Sequence, residues 1–433
     1  MNESAFELTP WQPCVATEWS HGAAKHFFEI ELGKMLQPEP NDSDDIEVPY
    51  LKSQHVQRNE VRLDDLPTMW ASPKEVRALT IKKGDLLVCE GGDVGRAAML
   101  QTEPSVNCII QNALHLVRAY GDNDVRFLGY LLDHSAAHGW FDVLCNRSTI
   151  AHFTVDKFKE FPIFLPTGKK QRAIADHLDR ETHRIDDLIA AKQRWLEVLA
   201  EKRVAVVSRA ISEGAGGVLS WSSSPLPWLE RVPSHWTLRK LGYVSRIGNG
   251  STPNRDNRDY WEGGHYPWLN SSFANDDQIF AADEFVTHLA LDECHLPLVE
   301  PNSLLMGITG QGKTRGKCAI LRFEATINQH LAYITPDTEA VSVEYLQHVL
   351  NSAYDFIRDE SDGAGSTKGA ITCEQIAQFK VPVPPIAEQR AIVAHIQTET
   401  AKIDALKTTT ERSLTLLRER RAALIAEAVT GRL

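Results

Sequence analysis

The sequence predicts an α+β protein: two mixed α/β globular domains joined by two long helices packed as an antiparallel coiled coil, the whole a pseudo-two-fold internal repeat. Three observations predict it. The chain resembles itself at a displacement of 218 residues, each copy ends in a long stretch of helical periodicity, and the rest of each copy alternates short strands with turn residues.

The repeat is plainest where "QRAIADHLDRETHRID" (171–186) faces "QRAIVAHIQTETAKID" (389–404), identical at nine of sixteen positions. Residue frequencies would give roughly one match by chance. Upstream, "STIAHFT" (148–154) faces "STKGAIT" (366–372), and Phe161 and Pro166 face Phe379 and Pro384. Near the beginning of each copy, Trp11 and Trp19 answer Trp228 and Trp236, and Leu32-Gly33 answers Ile247-Gly248. Half of 433 residues is close to the displacement, so almost nothing is left over. The boundaries expected are a first domain over 1–167, a first helix over 168–214, a linker over 215–225, a second domain over 226–385 and a second helix over 386–433.

Within the domains, "DDLPTMWAS", "IKKGDLLVCE" and "VNCIIQNALHLVRAY", with their counterparts "NSLLMGITG" and "ATINQHLAYITPD", read as short strands. "VRFLGYLLDHSAAHGWFDVL" and "VEYLQHVLNSAYDFIRDE" each read as one helix. His134 and His138 stand four apart on the first of these, as metal ligands could, but no third ligand of matching spacing is near, so no metal site is expected.

The tails carry one apolar stripe each. In the first it runs through Ile174, Leu178, Ile185, Leu188 or Ile189, Leu196, Leu199, Val206 and Ile211. In the second it runs through Ile392, Ile396, Ile403, Leu406, Leu414, Leu417, Leu424 and Ala428, after the helix start marked by Pro384-Pro385. Each helix would be roughly 65 Å long. A single helix of that length cannot shelter its stripe, so the two should pack on each other, and antiparallel pairing would put the globular parts at opposite ends. Lys192 and Thr410, at equivalent positions, interrupt the stripe.

One motif points elsewhere. "GITGQGKT" (307–314) matches G-x-x-x-x-G-K-[ST], the phosphate-cradling loop of nucleotide hydrolases, and Asp292-Glu293-Cys294-His295 imitates an acidic box upstream of it. The order is wrong, because such a box should follow the loop. The repeat also supplies a different origin. "LLVCEGGDVGRAAML" (86–100) is the first-copy partner of "LLMGITGQGKTRGKCAIL" (304–321), it lacks G-K-[ST], and the second copy gains its version inside an insertion. A phosphate loop must open a helix, whereas Arg315-Gly316-Lys317 leads into the strand-like Cys-Ala-Ile-Leu. Both copies read as β-hairpins with a glycine-rich, basic tip.

Composition bounds the rest. The chain is 42% hydrophobic and 24% charged, with 21 prolines and 26 glycines, an ordinary globular usage. No signal segment and no membrane-length apolar run is visible, and the seven scattered cysteines suggest neither a disulfide frame nor a zinc knuckle; a cytoplasmic protein is expected. A net charge of −12 argues against a surface that binds nucleic acid everywhere, while leaving room for a local basic patch.

These residues resemble the DNA-specificity subunit of type I restriction-modification systems. The resemblance covers essentially the full chain and rests on "FKVPVPPIAEQRAIVAHIQTETAKID" with "LLRERRAALIAEAVTG", on "LPWLERVPSHW", and on "IGNGSTP" (247–253). It implies two target-recognition domains, each reading one half of a split, asymmetric site on double-stranded DNA. The paired helices would fix the spacing and dock two methyltransferase subunits, which restriction subunits join. It implies no catalysis and no cofactor in this chain, with S-adenosylmethionine, ATP and Mg on the partner subunits. The first copy departs from the pattern: "PIFLPTGKKQRAI" lacks the Pro-Pro, and "LGKMLQP" (32–38) stands for "IGNGSTP".

The expected DNA contacts in the second domain are Asn249, Ser251, Thr252, Arg255 and Arg258 in the glycine-proline loop, Lys313, Arg315 and Lys317 at the hairpin tip, and Ser366, Thr367 and Lys368 in "GAGSTKG". Those in the first are Lys34, Arg96, Arg147, Ser148 and Thr149. No adenine-methylase [DNS]-P-P-[YFW] signature and no nuclease carboxylate cluster is visible, so the chain alone should catalyse nothing. Competing readings are a specificity subunit of a methylation-only system, a coiled-coil protein scaffold, and an NTP-driven nucleic-acid motor.

Overall fold

A computed structural model describes residues 12, 18–58, 60–144, 152–216, 220–310, 312–362 and 369–432. By its contacts the chain divides into two units, residues 1–194 with 410–433 and residues 195–409. The division cuts each long helix in two, so each unit owns one half of both.

In the first unit, β1 (Ser20–Ala23) closes on β9 (Pro162–Leu165) as an antiparallel pair. The main sheet holds β2 (Phe28–Leu32), β8 (Leu114–Ala119), β5 (Leu86–Cys89) and β6 (Ala97–Met99) in that order. A second sheet has β3 (Ile46–Leu51) between β4 (Thr68–Ala71), antiparallel, and β7 (Ile109–Ile110), parallel. The strands form where β-branched and leucine side chains run together: Leu86, Leu87, Val88 and Cys89 are all buried, as both faces of β5 are covered. Helix α1 (Pro73–Leu79) starts on a capping box, Ser72 with Glu75. Helix α2 (Val125–Ala137) buries Phe127, Leu128, Leu131 and Leu132 on the sheet, and the first half of the long helix α3 (Gly168–Glu213) joins that core through Leu178.

The second unit repeats the plan. β10 (Thr237–Lys240) pairs with β19 (Lys380–Val383). The main sheet runs β11 (Ser245–Asn249), β18 (Leu331–Pro336), β15 (Ser303–Gly307), β16 (Cys318–Leu321), with β13 (Gln278–Ile279) added at its edge. A second sheet sets β12 (Tyr266–Leu269) between β14 (Glu284–Val286) and the parallel β17 (Thr326–Ile327). Helices α4 (Val343–Ser352) and α5 (Tyr354–Asp362) follow, and the long α6 (Ile386–Val429) starts directly after Pro384-Pro385. The same sheet orders in both halves establish the internal duplication.

The two stretches read as single helices are each broken. The first stops at His138, where Gly139 adopts φ +72°, and restarts at Trp140; the second breaks at Ala353. His138 Nδ1 lies 2.9 Å from the His134 carbonyl oxygen, a contact within the helix. Among the described residues no group of three or more His, Cys, Asp or Glu is placed to hold a metal.

The long helices pack antiparallel within each unit. In the first, Leu178 of α3 shares a core with Ile425, Ala428 and Val429 of α6, and Arg421 Nε donates to Asp186 Oδ1 at 3.0 Å. Arg421 also reaches Asp133 of α2 at 3.0 Å, and Asp133 takes a second ion pair from Arg58 at 2.9 Å. These charges line a cleft of about 1040 Å³ within the first unit. In the second, Ala210 and Ile211 pack with Ile392, Val393 and Ile396, and Arg203 lies 3.5 Å from Asp404. Of the predicted stripe, Leu178, Ile185, Leu199, Ile392, Ile396, Ile403 and Leu414 are buried, and Ile174, Leu196, Val206, Leu417 and Leu424 are half-buried. Leu188 and Leu406 depart from it, being 45% and 49% exposed. A step of four from Ile185 leads to the half-buried Ile189, which leaves Leu188 outside the seam. Thr410 lies on the seam, 7% exposed, while its counterpart Lys192 is half-buried.

Candidate nucleic-acid interface

The glycine-proline loop of the second unit leaves β11 at Asn249 and crosses the turn between β17 and β18. Only glycine permits the crossing at 250, because a Cβ there would fall 1.7 Å from the Ile327 carbonyl oxygen. Ser251 N–H donates to that same oxygen at 3.1 Å. Two tryptophans fasten the loop from below: Trp268 Nε1 donates to Ser251 O and Trp261 Nε1 to Asn254 O, both at 3.1 Å. Arg255 lies over both rings, 3.9 and 4.8 Å from their centroids, and its guanidinium grips the Glu284 carboxylate with two hydrogen bonds, one of 3.0 Å. Those bonds hold the Glu284 carboxyl below its usual range. Arg255, expected to meet phosphate, is thus spent on shaping the loop. Asn249 and Arg258 are exposed, Arg258 lying 3.5 Å from Glu262; Ser251 and Thr252 are half-buried, and Thr252 donates to the Gln329 carboxamide.

The motif at 307–314 is the tip of the β15–β16 hairpin and runs into a strand, with no helix behind it. Gly310 and Gly316 take φ of +106° and +89°, as Gly92 and Gly95 take +77° and +78° in the first copy. The tip is anchored on α5: Tyr354 Oη donates to Lys313 O at 2.7 Å and Arg358 Nη1 to Gly312 O at 2.6 Å. Lys313 is exposed and Lys317 half-buried. Arg315 corrects the expectation, since it is only 2% exposed. It pairs through its backbone with Gly307 across the neck of the hairpin, where its side chain is enclosed and cannot meet a phosphate. Ser366, Thr367 and Lys368 lie outside the described residues.

In the first unit the corresponding crossing is made by Gly33, whose Cβ would fall 2.2 Å from the Gln111 carbonyl oxygen. Lys34 N–H donates to Ile110 O at 2.9 Å, as Ser251 does to Ile327 O. Gly33 therefore corresponds to Gly250, two residues beyond the Gly248 that the sequence repeat pairs with it. Both described candidates here are tied into the protein. Lys34 Nζ sits 2.7 Å from Glu75 with its side chain 11% exposed; Arg96 donates to Ser53 O at 2.9 Å and lies 3.4 Å from Asp93. Arg147, Ser148 and Thr149 lie outside the described residues. Two exposed residues that sequence reasoning passed over, Gln329 and His330, occupy the turn beneath the second loop, bonded to Thr252 and Thr309 respectively. Their signal was available: "NQH" faces "QNA" in the first copy, a polar difference at a turn.

The sequence pattern of the type I restriction modification DNA specificity domain family matches residues 17–197 and 233–415, one match per copy. The chain belongs to that family. Among relatives of this specificity-domain chain are the type I restriction enzyme EcoR124I/EcoR124II specificity subunit of Escherichia coli, 25% identical over 156 residues, 36% of this chain and 38% of the relative. The type I restriction enzyme MjaIX specificity subunit of Methanocaldococcus jannaschii is 28% identical over 167 residues, 37% of each chain. Both matches thus span less than two fifths of the relative's length. In fold, the chain is similar to one in a study of complex assembly and conformational transition of the type I R-M system, with TM-score 0.72, 16% identity and coverage of 97% and 99%. It is also similar to the HsdS subunit from Thermoanaerobacter tengcongensis, with TM-score 0.58, 16% identity and coverage of 97% and 98%.

Proposed function

We propose that this chain is the sequence-reading subunit of a type I restriction-modification complex. Each unit reads one half of a bipartite, asymmetric site on double-stranded DNA, and the paired helices set the distance between the halves. The observation that carries this reading is the duplication itself: one sheet plan occurs twice and presents loops of different chemistry, which suits a site whose halves differ. In the second unit Asn249, Ser251, Thr252, Arg258, Lys313 and Lys317 remain candidates for DNA contact.

Two methyltransferase subunits would dock on the helices. Repeat-equivalent apolar side chains are exposed there, Leu188 with Leu406 and Val198 with Leu416, so each copy offers an apolar surface of the same kind. Restriction subunits would join that assembly, and S-adenosylmethionine, ATP and Mg would be bound by the partners. The site of action is the cytoplasm, where the DNA is; no described helix is long and apolar enough to cross a membrane. With a net charge of −12, the partners supply much of the basic surface.

Modified-base sequencing of cells carrying the chain with a methyltransferase partner tests the reading. The expected result is a methylated motif of two unlike half-sites at one fixed separation, lost when this gene is removed. Methylation that lacks such a motif, or that survives the deletion, overturns it. A salt titration tests the charge argument: the lone chain should show a shallow dependence and the assembled complex a steep one.

A further inference from the structure

We propose that Gln329 reads an adenine in the half-site served by the second unit, and that Thr252 and His330 hold its carboxamide in place. The inference rests on the DNA-reading function proposed above and adds which side chain reads and what it reads.

The backbone beneath Gln329 is fixed. Asn328, 5% exposed, donates its N–H to Leu269 O at 3.0 Å and accepts the His330 N–H on its own side-chain oxygen at 3.0 Å. His330 O accepts from Ile308 N–H at 3.0 Å, and the Gly250 crossing covers Ile327. Gln329 and His330 are left exposed on a turn held from every side.

The side chains above it form a line across three segments. The Thr252 hydroxyl donates to Gln329 Oε1, Gln329 Nε2 lies 3.2 Å from His330 Nε2, and His330 Nδ1 lies 2.7 Å from Thr309 Oγ1. A neutral imidazole completes the line in either direction: Nδ1–H donates to Thr309 while Nε2 accepts from the carboxamide N–H, or the Thr309 hydroxyl donates to Nδ1 while Nε2–H donates to the oxygen of a turned-over carboxamide whose N–H goes to Thr252. Either relay pins both ends of the carboxamide, so the group is held in place between Thr252 and His330. One N–H and one oxygen lone pair of Gln329 remain unused. That adjacent donor and acceptor complements the major-groove edge of adenine, whose N7 accepts and whose N6 donates; guanine offers two acceptors there and would oppose the carboxamide oxygen. In the corresponding turn of the first unit Asn112 and Ala113 stand for Gln329 and His330, so the imidazole that pins the carboxamide is missing there.

The experiment uses the full complex and the motif read from methylated DNA. With Gln329→Ala, one A·T position in one half-site should become degenerate, its discrimination falling roughly tenfold to a hundredfold. The other half-site should stay intact and report a folded subunit. Gln329→Glu keeps the shape but loses the N–H donor, and should lose the same adenine preference; it decides the matter if the alanine variant abolishes modification altogether. An unchanged motif in both variants, or relaxation at a G·C position, overturns the proposal. A wild-type complex without any motif would instead defeat the DNA-reading function itself.

Discussion

Residue 250 shows how little freedom the loop has. Gly250→Ala forces a Cβ against the Ile327 carbonyl, and the displaced loop should cost about 1–3 kcal/mol in urea unfolding. Arg255→Ala removes two ring contacts and a bidentate ion pair at a half-exposed site, on the order of 1 kcal/mol, and Arg255→Lys should fail to restore it because an ammonium cannot grip both Glu284 oxygens. His115 carries a pH dependence. Burial pushes its imidazole down to about 4, and the ring lies 2.7 Å from Phe153 O, so the folded protein keeps it neutral. The unfolded chain takes up that proton near pH 6.5, so stability should fall as pH drops from about 6.5 to about 4, by on the order of 3 kcal/mol. His115→Gln should flatten the slope in thermal melts taken across that range. Glycine and proline made the loop legible in the sequence. The role of Arg255 was not, because its partners Glu284 and Trp268 are brought to it only by the sheet.

At the scale of elements, the hairpin and the helices behave differently under mutation. Lys313→Ala removes an exposed cation at the tip and should lower the salt slope of DNA binding by the assembled complex by about one without changing the motif. ATP bound by the lone chain and lost in this variant would restore the nucleotide reading of the motif. Ile396→Ala opens the seam between the helices and should cost about 2–5 kcal/mol, measured by chemical unfolding. Periodicity made both long helices legible, since spacings of three and four can be counted along a chain. It could not choose between the neighbours Leu188 and Ile189, which lie only a fraction of a turn apart, and it read past the breaks at Gly139 and Ala353, where a glycine and a short cap end a helix whose apolar pattern continues.

For the whole molecule, the duplication was the most legible property, because two copies of one plan leave matches that chance does not. The register of the glycine crossing was misplaced by two residues, because hydrogen bonding to the facing turn, invisible in a string of letters, decides which glycine is which. The first unit is also made from both extremes of the chain. Gln12 Nε2 donates to Val429 O at 2.9 Å and to Phe164 O at 3.0 Å, and Ile425, Ala428 and Val429 complete a core otherwise formed by residues before 180. Removing residues 410–433 should therefore expose the first unit to proteolysis while leaving the sheets of the second protected. A ribosome making this protein delivers the first part of that unit early and residues 410–433 only after the whole of the second unit. Until then the nascent unit waits unfinished, and a message cut short before residue 410 would harm the portion translated first.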